Sequence, residues 1–212
     1  MNNRTLQADE VDARGTEPVK FVVDVDEFDL ARALLGRLVS ATEPLSRDAF
    51  AEALTSFEFI SFLSVFNRAF FRSMKNFCGQ LGDEAFIVLA TDPDPTWYRR
   101  EFGRFNALWC SVHDSPEHYL QAMNDGGDGS SPDCLMDSSN RIFFYSESGK
   151  WLLAADRDTN LTTCCFADES VRDKFAQSYE GDFFGSVEDA AEFSRETGSP
   201  DASLASFLPG KR

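Results

Sequence analysis

The chain is poor in the residues from which most catalytic and metal centres are built. Its 212 residues include 2 His, 3 Trp and 4 Tyr, and 20 Lys and Arg stand against 36 Asp and Glu. The two His, His113 and His118, lie five positions apart, not at the i, i+4 spacing by which a helix offers two imidazoles to zinc. Cys110-x-x-His113 has metal-like spacing, but a second such pair is missing, so neither a metal centre nor a cofactor is expected. The sequence has no Gly-Lys-Ser/Thr phosphate loop, no Gly-x-Ser-x-Gly elbow and no dinucleotide fingerprint, which lowers the expectation of an enzyme. "DGGDGSSPDCLMD" lacks the alternating acids and terminal Glu of a calcium loop.

No run of 18 apolar residues occurs, so no membrane span is expected. The first fifteen residues, "MNNRTLQADEVDARG", lack the basic and apolar regions of a secretion signal, which points to the cytoplasm. The five cysteines, Cys78, Cys110, Cys134, Cys164 and Cys165, are odd in number and irregular in spacing. That pattern suits free, mostly buried thiols in a reducing compartment. Cys164 and Cys165 are adjacent in a predicted strand, so they should face opposite sides.

Basic residues are few enough that the formal net charge is −16. A negative field of that size repels phosphate backbones and argues against direct nucleic-acid binding. It attracts basic partners and speeds their encounter. The carboxylates gather toward the two ends of the sequence. From Asp168 to Asp201 there are 10 acidic and 3 basic residues, and from Asp9 to Asp29 there are 8 and 2. Arg68 to Arg104 is nearly balanced, with 6 basic and 5 acidic.

The abundant residue is Phe, 21 in all. Phe has no polar handle, so most of these rings should be buried. The chain is long enough to bury a core without disulfide or metal staples. We read residues 1–17 as a loose tail, 18–196 as a single α+β domain and 197–212 as a second tail.

Val19, Phe21, Val23 and Val25 alternate as a strand does, and Asp26 is placed to cap a helix running to about Val39. From Ser46 a Phe-rich pattern steps through Phe59, Leu63, Phe66, Phe70, Met74, Phe77 and Leu81. It predicts one long helix, or two broken near Thr55-Ser56, with Ser46 as cap. "EAFIVLATDPDP" and "ALWCSV" read as strands. "TWYRREFGRF" and "SPEHYLQAMND" read as helices, the second with Ser115 and Pro116 at its start. "NDGGDGSSPD" reads as a loop.

"RIFFYS", "KWLLAADR" and "LTTCCF" form an antiparallel meander whose turns end in Gly149 and Asn160, residues that tolerate the left-handed conformation. Two acidic helices follow, "ADESVRDKFAQSYEG" and "SVEDAAEFSRE". The expected fold is therefore an antiparallel β-meander packed with a long Phe-rich helix and shorter helices.

The hairpin Ser-x-Ser-Gly-Lys-Trp, followed by Asp156-Arg157-Asp158, resembles a Gly-Lys/Arg-Trp…Asp-Arg-Asp sheet element. That element is found among immunity proteins of bacterial polymorphic-toxin and contact-dependent-inhibition systems. The resemblance spans residues 140–190. It implies no catalysis, but tight binding to a cognate toxin, often a basic nuclease. An acidic face would serve such a partner. Asp156, Asp158, Asp182, Glu188 and Asp189 would supply charge complementarity, with Trp151 or Tyr179 as an aromatic anchor. Two other readings stand beside this one. A small hydrolase would assemble its site from Cys110, His113 and Asp114, or from Asp156 and Asp158. An acidic secretion chaperone or adaptor would offer an apolar groove to an extended client.

Overall fold

A computed structural model of the protein describes residues 19–40, 46–126, 133–198 and 204–207. The expected N-terminal tail lies outside these residues, as does most of the loop "NDGGDGSSPD". The described chain forms one seven-stranded antiparallel sheet with helices on both faces, an α+β fold.

The strands are β1 (Lys20–Phe21), β2 (Ser56–Ser61), β3 (Ala85–Asp92), β4 (Ala107–Ser111), β5 (Arg141–Tyr145), β6 (Trp151–Asp156) and β7 (Leu161–Phe166). The helices are α1 (Val25–Leu35), α2 (Arg68–Leu81), α3 (Pro95–Phe102), α4 (Pro116–Met123), the single turn α5 (Leu135–Ser138), α6 (Glu169–Ser178) and α7 (Val187–Glu196). The strand order is β1-β4-β3-β5-β6-β7-β2.

The meander β5–β6–β7 lies where the sequence places it. Gly149 (φ 65°) and Asn160 (φ 55°) take the left-handed conformation that their turns require. Every residue of β6 and β7 is buried, as expected of strands covered on both faces. Alternation then divides the side chains between two cores. Phe144, Trp151, Leu153, Cys164 and Phe166 meet α2, α4 and α6 on one side. Phe143, Tyr145, Leu152 and Cys165 meet α1 and the side chains of Leu38, Val39, Phe50 and Leu54 on the other. Cys164 and Cys165 do face opposite sides, and all five cysteines are free and buried. Buried Tyr hydroxyls tie the layers together. Tyr145 donates to the Ala31 carbonyl at 2.8 Å and Tyr119 to that of Val65 at 2.7 Å.

Most Phe rings are buried, each stabilising the fold by about 1.5–3 kcal/mol relative to an exposed ring.

The long Phe-rich helix forms only in its second part. Arg47–Ala49 is a 3-10 turn in which the Ser46 side chain makes no capping bond. Ser56–Ser61 is β2, paired along its whole length with β7. Phe62–Phe66 is a second 3-10 turn. The helix α2 starts at Arg68, where the Asn67 side chain accepts the Phe70 N–H at 2.8 Å. Leu63, which a continuous stripe would bury, is 66% exposed. The edge of β7 needs a partner for its backbone groups, and "SFEFIS" supplies it with alternating Phe and polar residues.

At the N-terminus β1 spans only Lys20–Phe21, and Asp24, not Asp26, caps α1 by accepting the N–H groups of Asp26 and Glu27. Part of the expected C-terminal tail is packed. Leu204 is buried, and the Phe207 ring sits 5.4 Å from those of Phe57 and Phe59.

Candidate functional site

The acidic C-terminal part folds onto the β2 edge of the sheet. Asp168 caps α6 by accepting the Val171 N–H at 2.9 Å, and Val171 and Phe175 anchor that helix in the core. The connection to α7 is held by packed rings. Tyr179 lies 5.4 Å from Phe175 and 4.9 Å from Phe183. The Phe184 N–H then donates to the Phe59 carbonyl of β2 at 3.0 Å. Ser186 caps α7 through the Asp189 N–H at 3.0 Å. Ala190 and Ser194 are buried, and Ala190 packs with Phe59, Leu161 and Leu204.

That anchoring fixes which face of α7 meets solvent. At 100° per residue, Glu188, Glu192, Glu196 and Asp189 fall within one arc of about 100°. The arc lies opposite Ala190 and Ser194. All four carboxylates are exposed, and none of them forms an ion pair with a described residue. Asp182, in the connection, is exposed too. Asp158 is exposed in the β6–β7 turn, close in sequence to Leu161, on which α7 rests. Other acids nearby are engaged. Glu180 is held by Arg72 through two bonds of 2.7 and 3.2 Å, and the Arg72 guanidinium keeps its carboxyl below the usual range. Asp173 pairs with Arg172 at 2.9 Å.

Two of the residues expected on an acidic face are not on the surface. Trp151 is fully buried, its Nε1–H donating to Asp83 Oδ2 at 3.1 Å and its ring edge-on to Phe77 at 5.4 Å. It lies on β6 with helices over it, so it is a core residue and not an anchor for a partner. Asp83 Oδ2 also accepts the hydroxyls of Ser146 at 2.8 Å and Ser148 at 3.2 Å, which pins the β5–β6 turn.

Asp156 is 6% exposed. Its Oδ1 accepts the Asp158 N–H at 2.9 Å, and Arg141 lies 3.7 Å from Oδ2. It shapes the turn and offers no free carboxylate to a partner. Tyr179 is half-buried, with its ring committed to Phe175 and Phe183. The sequence reading missed Glu192 and Glu196. Their signal was the 188/192/196 spacing on a helix capped by Ser186.

Burial raises the Asp156 carboxyl above its usual value of 3.8, with Arg141 opposing. A raised folded-state value means that the ionised form disfavours the fold. The cost is absent below the unfolded value and grows as pH rises through the folded one. Asp156→Asn, which cannot ionise, should therefore gain stability relative to the native chain as pH rises from about 3.5 to 7. Urea denaturation of both proteins across that range checks this, and a pH-independent difference would contradict it.

Gly181 offers a separate test of the connection. A Cβ there would lie 2.6 Å from the Tyr179 ring. Gly181→Ala should displace that ring and destabilise the protein by about 1–3 kcal/mol in urea denaturation.

The candidate catalytic groups are not assembled for chemistry. Cys110 is fully buried, and burial raises its thiol far above the usual range. His113 is exposed, while Asp114 is buried with Oδ2 accepting the Ser111 N–H at 2.6 Å. Among the described residues no group of three His, Cys, Asp or Glu is placed to hold a metal ion, and no helix is long and apolar enough to cross a membrane. Comparison with family models, with curated proteins and with solved structures gives no match.

Proposed function

We propose that the protein is a non-catalytic, cytoplasmic binding protein of the immunity type, which neutralises the basic toxin domain of a bacterial polymorphic-toxin or contact-dependent-inhibition system. The observation that carries this reading is the α7 stripe, Glu188, Asp189, Glu192 and Glu196. These four exposed carboxylates lie on one arc of a helix whose opposite face is anchored in the fold. Asp182 and Asp158 extend the acidic surface. Glu188 and Asp189, in the first turn, favour the dipole of α7, but Glu192 and Glu196 lie beyond that turn and have no such role. The carboxylates of the stripe repel one another at i, i+4 and destabilise the helix by a few tenths of a kcal/mol per pair. A basic partner removes that repulsion and meets a complementary potential, which raises the association rate and disfavours acidic competitors.

The resemblance of the β5–β6–β7 meander to immunity proteins supports the same reading. The burial of Cys110 counts against the hydrolase alternative. The test is direct. The toxin domain encoded beside this gene should form a stable complex with the purified protein in titration calorimetry. Co-expression of the two should restore growth to cells that the toxin arrests. Absence of both binding and protection would reject the reading.

A further inference from the structure

A groove of about 510 Å³ runs between α1 and α3, on the sheet face opposite α6 and far from α7 in the strand order. Its floor is the Phe28 ring, stacked on Phe105 at 3.9 Å with 4° between the planes. Gly103 (φ 74°) ends α3 in the left-handed conformation and lets the chain turn Phe105 under α1. The walls carry Arg32 from α1 and Arg99 and Arg100 from α3, with Asp29 the sole carboxylate on the lining. A smaller hollow of about 210 Å³ shares Phe28, Arg32 and Thr96, continues the apolar floor over Leu35 and Leu89, and adds the carboxylate of Asp94.

The three guanidinium groups are weakly engaged. Arg32 lies 3.7 Å from Asp29, and both side chains are more than half exposed. Arg100 pairs with its exposed neighbour Glu101 at 2.9 Å. Arg99 has no carboxylate partner among the described residues and leans over the Phe105 ring at 5.0 Å. Exposed pairs of this kind hold their members by no more than about 1 kcal/mol, so a better anion displaces them. The chain's net charge of −16 does not prevent this. Charges are screened over about 8 Å at physiological ionic strength, so distant carboxylates matter little and the anion competes mainly with Asp29, Asp94 and Glu101 for the three arginines.

We propose that this groove binds a small organic anion, a carboxylate or phosphate carried on a flat apolar body. The anion would be taken in forked geometry by Arg99 and Arg100, with Arg32 on the facing wall, and the body would rest against Val25, which is 40% exposed, and the rim of Phe28. The volume is within the range of small-molecule sites, and an apolar floor with a few polar groups on its walls is typical of them. The inference does not depend on the immunity reading, because it uses none of the α7 carboxylates.

The test uses the full chain and 1-naphthyl phosphate, with 1-naphthol and inorganic phosphate as comparison probes, followed by ¹⁵N amide shifts. Saturable shifts confined to Val25–Arg32 and Thr96–Phe105 are expected with naphthyl phosphate. The naphthol and the inorganic ion should each bind more weakly. Arg99→Glu and Arg100→Glu, both at exposed positions, should each weaken binding by about tenfold or more. Lys75→Glu, on α2, should leave it unchanged. Four results would overturn the proposal: no saturable shifts, equal binding of the naphthol, equal binding of the inorganic ion, or unchanged affinity in both arginine variants. Tighter binding at the same amides by an acidic peptide of alternating Asp and Leu would overturn it in favour of an extended client.

Discussion

Phe77→Ala is expected to destabilise the fold by about 3–5 kcal/mol, a large share of the 5–15 kcal/mol that holds a typical domain together. Phe77 is fully buried and projects from α2 into a cluster of edge-on rings: Trp151 of β6 at 5.4 Å, Phe166 of β7 at 6.3 Å and Phe175 of α6 at 5.2 Å. Truncation removes contacts with three elements at once. The surrounding rings are themselves pinned, so they cannot collapse into the space. Trp151 is tethered through Nε1 to Asp83, and Phe175 is stacked on Tyr179.

Urea denaturation should show a fall in midpoint of at least about 1 M with the slope unchanged. Leu63→Ala is the matched control. In a continuous Phe-rich helix the two positions would belong to one buried stripe and cost about the same. With Leu63 66% exposed, its replacement should stay within about 0.5 kcal/mol. Equal costs at the two positions would contradict the exposed place of Leu63 in the 3-10 turn Phe62–Phe66.

Reversing the α7 stripe, with Glu188, Asp189, Glu192 and Glu196 all changed to Lys, is expected to slow association with a basic toxin domain by about 10- to 1000-fold at low salt. The fold should be kept at a cost of about 1–2 kcal/mol from the two first-turn positions, because all four side chains are exposed and unpaired within the described residues. The loss should shrink as salt is added, since rim charges act mainly on the encounter rate. Asp158→Lys alone should have a smaller effect of the same sign. Stopped-flow association with wild-type and reversed chains at two ionic strengths checks all three statements. A reversed variant that associates at the native rate would remove α7 from the interface.

The parts of the fold legible in the sequence are those with local punctuation. Gly149 and Asn160 mark the two turns of the meander, Ser115-Pro116 starts α4, and Pro93 and Pro95 close β3. The misread part is the stretch from Ser46 to Asn67, which contains neither Gly nor Pro. There the spacing of Phe59, Leu63, Phe66 and Phe70 fits a helical period by coincidence. Asn67 was the available stop signal, since Asn ahead of an apolar run favours a cap. What places β2 is the unpaired edge of β7, a tertiary demand that no local window contains.

The candidate face was legible in composition but not in detail. Acid density identified α7, while the burial of Trp151 and Asp156 depends on both sheet faces being covered. The meander residues looked exposed because their turns are polar.

The position of β2 in the sheet has a consequence for how the protein is made. Ser61 pairs with Leu161 and Ser56 with Phe166, so the strand leaves the ribosome about a hundred residues before β7, its neighbour in the sheet. At about 5–20 residues per second, "SFEFIS" spends several seconds in the nascent chain with its backbone unpaired and its Phe side chains unburied. Such long-range pairing slows folding because loop-closure entropy is lost before any contact forms. The nascent protein should therefore lean on chaperones between the emergence of β2 and that of β7, and close this edge of its sheet only then.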